Sequence, residues 1–224
     1  MPARRPSSAA ATRGVSVRVL KTLAMFGLTL EDVATGIAGG AVAAWEAEKL
    51  DDTLRPGEIA TVMGFSGAGK TSMLNALAAR VRSRSEQVVW ADPPWRIAQR
   101  AGAAIDLVCG DHDWLSRVGL ADVRHMCIPV GFLSEGERAR LALAAAMRKA
   151  SLMQEPVTVL VDEFGGALDD HAAAVLGYVV RRCIGPGAHM RMVVATHRPV
   201  VPIAMAADVQ ICLTSALGPG RSRV

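Results

Sequence analysis

Aromatic residues and long apolar runs are both scarce in this chain. Phenylalanine, tryptophan and tyrosine together make up 4% of its 224 residues. The longest uncharged apolar run, residues 33–45, is too short to span a bilayer and contains glycines. Apolar residues nevertheless form 51% of the sequence, which is enough for the core of one ordinary domain of this length. The composition therefore excludes a chain of membrane helices and favours a single α/β-sized domain.

Cysteine is also rare, and its spacing is not typical of a disulfide framework. This pattern fits a reducing compartment, so we expect a cytoplasmic protein. Two cysteines stand near histidines, in Cys109-x-x-His112 and His125-x-Cys127. A zinc site there is an alternative to an ordinary turn and a short strand. The four cysteines are Cys109, Cys127, Cys183 and Cys212.

Acidic residues are absent from both ends of the chain. The formal net charge is +4. The two acid-free ends supply all of it, through Arg4, Arg5, Arg13, Arg221 and Arg223. A basic folded surface is therefore not indicated, and the net charge is a weak argument for nucleic-acid binding. We expect a disordered basic arm at 1–14, one domain at 15–215 and a flexible basic tail at 216–224.

Apolar strands alternate with helical segments along most of the chain. This alternation predicts an α/β fold, with a parallel-sheet core and helices on both faces. The continuous apolar runs are typical of central parallel strands. An edge strand is predicted at 15–20, and two short helices are predicted within 95–130. The other predicted strands are 58–64, 87–90, 157–161, 190–196 and 209–214, and the long helices are 70–82, 134–149 and 169–183.

A glycine-rich loop between the first central strand and the first long helix matches the phosphate-binding loop pattern at every fixed position. Its backbone N–H groups and the helix N-terminus would face phosphates. Lys70 would reach the β- and γ-phosphates and support catalysis by its charge, and the Thr71 hydroxyl would ligate Mg²⁺. The predicted nucleotide-binding residues here are Gly64, Phe65, Ser66, Gly67, Ala68, Gly69, Lys70, Thr71 and Ser72.

A second element is the apolar run 157–161, which ends directly in Asp162 and Glu163. Asp162 is placed to hold the shell of a Mg²⁺ ion. Glu163 would polarise the attacking water, since hydrolysis needs an acceptor for the proton of water. A solvated acidic turn is the alternative for this motif alone, but its pairing with the phosphate loop favours an ATP-hydrolysing site.

Three further motifs carry a family resemblance. The stretch Leu133-Ser134-Glu135-Gly136-Glu137-Arg138 opens a helix and resembles the ABC signature, whose usual form is Leu-Ser-Gly-Gly-Gln. Gly166-Ala167-Leu168-Asp169 resembles the D-loop, and His197 after an apolar strand resembles the switch histidine. With both phosphate-site motifs in the correct order, the chain is identified as a member of the ABC-type P-loop ATPases.

The resemblance implies an ABC-ATPase-like fold with an antiparallel edge. It also implies that the protein acts as a head-to-tail homodimer and uses ATP and Mg²⁺. Glu163 and His197 would act in catalysis, and Ser134 and Gly136 would complete the nucleotide site of the partner subunit. An aromatic ring would stack on adenine, for which Trp45 and Phe26 are available.

Several residues depart from the family pattern. Asp92 stands where a glutamine usually senses the metal and is the candidate to replace it, ahead of Gln87 and Gln99. Glu135 and Glu137 replace a glycine and a glutamine of the signature. They would repel the partner's triphosphate unless they point away or pair with nearby arginines.

The segment between Lys70 and Ser134 is short for a transporter ATPase and predicts a reduced helical subdomain. We therefore expect a soluble ATPase of the nucleic-acid-associated or phage type, with a possible DNA or protein partner and no membrane insertion. One alternative is the ATPase subunit of an ABC membrane transporter. Another is a non-hydrolysing clamp or scaffold that ATP closes.

Overall fold

The computed structural model describes residues 44–213, together with Arg18, Lys21 and Met25. The predicted arm at 1–14, the tail at 216–224 and Phe26 lie outside the described residues. Arg18 is helical, although a strand was predicted at 15–20. A six-residue alternation is too short to separate the periods of helix and strand, which explains the error at this residue.

The described strands form one sheet in the order β2–β3–β4–β1–β5. All of its pairings are parallel, so the predicted antiparallel edge is not seen among the described strands. The carboxyl ends of parallel strands meet at one edge, which brings the loops after β1, β3 and β4 together there. The strands are β1 (Ile59–Gly64), β2 (Gln87–Trp90), β3 (Val157–Val161), β4 (Met190–Thr196) and β5 (Val209–Leu213).

Helices flank this sheet on both faces. The predicted long helices are confirmed to within two residues, and the segment between the second and seventh helices holds four short helices instead of two. The helices are α1 (44–53), α2 (Lys70–Ser83), α3 (Pro94–Ala98), α4 (Ala104–Leu107), α5 (His112–Arg117), α6 (Val123–Cys127), α7 (Glu135–Ser151), α8 (Asp170–Cys183) and α9 (Val200–Ala204).

The core has two layers, one on each face of the sheet. Every residue of β3 and β4 is buried. Alternate residues of β3 point to opposite faces, so that Val159 packs with α7 and α8 while Leu160 packs with α1 and α2. This two-sided burial is why the central strands read as continuous apolar runs.

Asp208 links the N-terminal ends of the neighbouring strands β1 and β5 to helix α8. Its carboxylate accepts hydrogen bonds from the Ile59 N–H at 2.8 Å and from Arg181 at 2.8 Å. Burial alone would raise the pKa of the Asp208 carboxyl, but these two hydrogen bonds outweigh burial and hold the pKa below its usual range. The charged form is therefore the one that stabilises this corner of the fold.

Candidate functional site

The phosphate loop lies between β1 and α2, at the carboxyl edge of the sheet. Gly67 and Gly69 have φ angles of +80° and +93°, which only glycine adopts at little cost. The loop therefore curls so that its backbone faces the first turn of α2. Lys70 Nζ lies across the loop and donates to the carbonyl oxygens of Gly64 at 2.7 Å and Phe65 at 2.9 Å. Phe65 itself is exposed.

Thr71 and Asp162 meet directly, although they belong to separate motifs. The Thr71 hydroxyl donates to Asp162 Oδ2 at 2.7 Å. A hydroxyl and a carboxylate are the hard oxygen donors that Mg²⁺ prefers beside a phosphate, so this pair fits that ion. Within the described residues, no group of three or more histidine, cysteine, aspartate or glutamate side chains is placed to hold a metal. Protein ligands here would therefore need phosphate and water oxygens to complete the coordination.

Asp92, the third predicted metal ligand, is engaged elsewhere. Its carboxylate forms ion pairs with Arg96 and Arg100 of the following segment. It lines the same cleft as Asp162, but these arginines compete with any cation for its oxygens. The zinc alternative for Cys109, His112, His125 and Cys127 has no support, since these described residues form no such cluster.

Glu163 has a strained backbone, with a φ angle of +52°. Non-glycine residues pay for this conformation, and such strain is concentrated at functional sites. The Glu163 N–H donates to Asp162 Oδ1 at 3.0 Å, which fixes the turn between the two acids. The side chain of Glu163 is exposed at the end of β3, while Phe164 is buried beneath it. The carboxylate thus stands at the sheet edge and faces solvent.

The end of β4 fastens the loop that carries Glu163. The Thr196 hydroxyl donates to the Phe164 carbonyl at 3.0 Å and accepts from the Arg198 N–H at 3.1 Å. Arg198 Nε donates to the Gly165 carbonyl at 2.7 Å. The sequence analysis assigned no role to Arg198, the residue after the predicted switch histidine. The carbonyl partner is a backbone atom far along the chain, so no residue type could have indicated it.

A cleft of about 480 Å³ opens beside these residues. It brings together Glu163 and His197, which were predicted to act together, at the ends of β3 and β4. Glu135 and the exposed Trp95 line it from the side of the helices. The cleft is therefore bounded by acidic, imidazole and aromatic side chains.

The signature segment begins α7 with a capping box. The Ser134 hydroxyl accepts from the Glu137 N–H at 3.2 Å, and the Ser134 N–H donates to Glu137 Oε2 at 2.7 Å. A Cβ atom on Gly136 would lie 3.0 Å from Leu168 and 3.2 Å from the Ala167 carbonyl, so glycine lets the D-loop approach closely. In these contacts Ser134 and Gly136 meet α7 and the D-loop, not the phosphate loop of their own chain.

Glu137 has a partner that the sequence did not indicate. His125 Nε2 of α6 lies 3.1 Å from Glu137 Oε1. The backbone N–H of Ser134 holds the pKa of the Glu137 carboxyl below its usual range, and the charge of His125 acts in the same direction. Arg138 instead donates to the backbone carbonyls of Gly131 and Leu133. Arg140 donates to the carbonyls of Val118 and Gly119, so the side chain next to the Glu137 carboxylate is a histidine and not one of these arginines.

The adenine-stacking prediction is not tested by any contact. Trp45 of α1 is 51% exposed, and the Lys49 ammonium lies 5.4 Å from the centre of its ring. The ring is therefore open to solvent on the outer side of the helix and does not belong to the core.

Comparisons with known proteins agree with these motifs. A family model described as ABC transporter matches residues 47–111. The cytochrome c biogenesis ATP-binding export protein CcmA of Bradyrhizobium diazoefficiens is 31% identical over 156 residues, which cover 55% of this chain and 77% of that protein. The aliphatic sulfonates import ATP-binding protein SsuB of a Mycobacterium species is 34% identical over 145 residues, covering 54% of this chain and 55% of that protein.

Solved structures share the fold. MJ0796, described as a bacterial ABC transporter cassette in dimeric form, superposes with a TM-score of 0.55 at 18% identity, over 73% of this chain and 84% of that one. The motif order, the parallel sheet and the similarity to CcmA point to one conclusion. The chain belongs to the ABC family of P-loop ATPases.

Proposed function

We propose that this ABC ATPase is the ATP-binding subunit of a membrane transporter. ABC ATPases bind and hydrolyse ATP and dimerise as cassettes, and the finer assignment rests on the relatives. CcmA is an ATP-binding export protein and SsuB is an ATP-binding import protein. They favour the transporter alternative over the nucleic-acid association that the short subdomain suggested. No described helix is long and apolar enough to cross a membrane.

The observation that carries the ATPase site is the Thr71–Asp162 hydrogen bond beside the phosphate loop. In the proposed mechanism, Lys70 exchanges the two loop carbonyls for the β- and γ-phosphates, and Thr71 and Asp162 would hold Mg²⁺. The ion would neutralise charge on the phosphates. Catalysis of this type depends on positioning and charge stabilisation, which a preformed Thr71–Asp162 pair provides at no reorganisation cost.

Glu163 and His197 act on the attacking water in this proposal. The strained turn at Glu163 directs its carboxylate away from the buried Phe164 and into the cleft that His197 also lines. The Glu163 carboxylate accepts the proton as water attacks, and His197 holds the water and γ-phosphate in line. Thr196 and Arg198 hold the loop in place during this step.

The second half of each site comes from a head-to-tail partner. Ser134 accepts the Glu137 N–H in the capping box, so its own hydroxyl proton is free to be donated to an anion. The first turn of α7 adds backbone N–H groups that favour negative charge. We propose that Ser134 and Gly136 bind the γ-phosphate held by the partner subunit.

A surface on the short helices fits a protein partner in the membrane. Trp95 is 59% exposed and Phe132 is 80% exposed. They lie on α3 and on the turn that packs against it. Aromatic side chains are enriched at protein–protein interfaces relative to the rest of the surface. Trp95 also lines the cleft at Glu163, so a partner bound there would sense the catalytic site.

The first experiment measures ATP turnover and oligomeric mass for the wild type and for Glu163→Gln. Loss of the base should reduce turnover by about 10²-fold or more, and the variant should accumulate as an ATP-bound dimer. Glu155→Gln is the matched control, because Glu155 is exposed before β3 and away from the site. Equal turnover in the two variants would refute the role of Glu163. A dimer that forms while the wild type shows no turnover would favour the clamp.

The second experiment tests the membrane partner. A tagged chain is expressed in its native cells, and its distribution between the membrane pellet and the supernatant is compared with that of a Phe132→Ser variant. We expect the wild type to sediment with membranes and the variant to lose this association while it keeps its ATPase activity. Stimulation of the ATPase by DNA, with no membrane association, would instead support the nucleic-acid alternative.

A further inference from the structure

We infer that His125 is a positioning residue for the signature segment, because it holds the Glu137 carboxylate against the start of α7. This inference rests on the proposed dimer, in which Ser134 binds the partner's phosphate. The sequence named His125 only for the zinc alternative, and the residue belongs to the short helix α6. Its importance follows from the glutamate at a signature position that usually holds a neutral glutamine.

A glutamate at this position creates a specific problem. A carboxylate in the first turn of α7 stabilises the helix, but it also repels a triphosphate that approaches the same turn. The structure resolves the conflict by using both carboxylate oxygens. Oε2 accepts from the Ser134 N–H at 2.7 Å, and Oε1 lies 3.1 Å from His125 Nε2. Both oxygens of the Glu137 carboxylate are therefore directed toward groups of its own chain.

The proton position on His125 follows from its partners. An ionised carboxylate only accepts hydrogen bonds, so Nε2 must carry the proton that it donates to Glu137. Nδ1 is buried and has no hydrogen-bond partner. The ring therefore donates to Glu137 from Nε2, while Nδ1 makes no hydrogen bond. The interaction with Glu137 is then a single directed hydrogen bond.

Glu137 in turn sets the hydroxyl of Ser134. The Glu137 N–H occupies a lone pair of the Ser134 oxygen at 3.2 Å, which leaves the hydroxyl proton for a ligand. Without His125, the carboxylate loses one of its two partners and is free to swing toward the approaching phosphate. The expected consequence is weaker closing of the dimer, with no change in how the phosphate loop binds ATP.

The test is a double-mutant cycle with His125→Ala and Glu137→Gln, made in the Glu163→Gln background that traps the dimer. ATP-driven dimerisation is measured by sedimentation, and ATP binding to the monomer by a fluorescent analogue at low protein concentration. A partly exposed pair of this kind should cost roughly fivefold at each site when broken. The dimer dissociation constant should therefore rise by about 25-fold, because two symmetric sites close together.

Rescue distinguishes positioning from a loss of folding. Adding Glu137→Gln to His125→Ala should restore dimerisation to the level of Glu137→Gln alone, because a neutral amide needs no partner to contain its charge. His125→Gln should also retain dimerisation, since its amide can donate. Arg124→Ala is the matched control on α6, where Arg124 is exposed and pairs with Asp122. Denaturant unfolding of each variant checks that the fold is intact.

Two results would overturn the inference, and they differ from failure of the dimer itself. If His125→Ala dimerises at the same ATP concentration as its parent, or if Glu137→Gln gives no rescue, His125 has no positioning role although the dimer stands. If the wild type and Glu163→Gln bind ATP and never dimerise, the dimer mechanism fails and the role of His125 fails with it.

Discussion

Asp51 is the residue whose loss should most damage the attachment of α1 to the sheet. Its side chain is fully buried. One carboxylate oxygen of Asp51 lies 2.6 Å from the Arg191 guanidinium of β4. The other lies 3.1 Å from Arg80 of α2 and also pairs with Arg84, which follows α2. Burial lowers the pKa of the Arg191 guanidinium, and the charge of Glu86, whose carboxylate lies 3.6 Å away, acts in the opposite direction. We predict that Asp51→Asn strongly destabilises the fold.

The magnitude follows from what remains around Arg191. Breaking a buried ion pair by removing one partner typically costs about 3–5 kcal/mol. Arg191 keeps hydrogen bonds to Thr158 and to the carbonyls of Asp51 and Leu54, so the lower end of that range applies. For a domain of this size, a loss of about 3 kcal/mol corresponds to a fall in Tm of roughly 6–12 °C.

The assay is urea unfolding followed by circular dichroism, with Asp52→Asn as the matched control. Asp52 is the neighbouring acid and also pairs with Arg80, but its side chain is 55% exposed. Exposed ion pairs contribute about 0–1 kcal/mol, so this control should change the free energy of unfolding little. Equal destabilisation by the two substitutions would refute the argument from burial. Stability unchanged in both would show that α1 contributes nothing to the cooperative unit.

Three further outcomes are expected. Gly69→Ala and Gly187→Ala, both at positive φ with open space at Cβ, should each cost about 1–3 kcal/mol in denaturant unfolding, but only Gly69→Ala should weaken ATP binding in titrations. Arg198→Ala removes the hydrogen bond to the Gly165 carbonyl and so loosens the loop that carries Glu163, but not the phosphate loop. We therefore expect kcat to fall about tenfold with little change in KM. An effect on KM alone would contradict this reasoning. The pKa of the Asp208 carboxyl is lowered in the fold, so the stabilisation by Asp208 is present above the ordinary pKa of about 4 and is lost as the pH falls through the lowered value. Asp208→Asn should therefore reduce the fall in unfolding free energy that the wild type shows at acid pH.

The sequence predicted the core of the fold because the central strands are buried on both faces. Val157–Val161 and Met190–Thr196 are mostly apolar, with only Thr158, Arg191 and Thr196 polar, and runs of this length that are rich in valine favour buried strands. The short helices between α2 and α7 were undercounted, since helices of four to six residues span fewer than two periods of 3.6 residues. The prediction of an edge strand at 15–20 was wrong at Arg18 for a similar reason. An alternation of six residues does not distinguish a strand from a helix.

The phosphate loop and the acidic strand end were readable because each is a continuous segment with its own chemistry. The hydrogen bond between Thr71 and Asp162 followed from the sheet, since parallel strands collect such segments at one edge. The contacts of His125 and Arg198 could not be predicted in this way. Each joins a side chain to an atom that is distant in the sequence, and tertiary packing alone determines which atom that is.

This difference has a consequence for how the site changes in evolution or by design. Residues that bind phosphate are constrained by the ligand, whereas His125 is constrained by the charge of Glu137. A neutral glutamine at 137 removes the need for a histidine at 125, and a glutamate restores it, so replacement of His125 should be tolerated better with glutamine at 137 than with glutamate. The departure from the family signature is then a compensated exchange and not a loss of function. The double-mutant cycle decides this, because only compensation makes the second substitution undo the first.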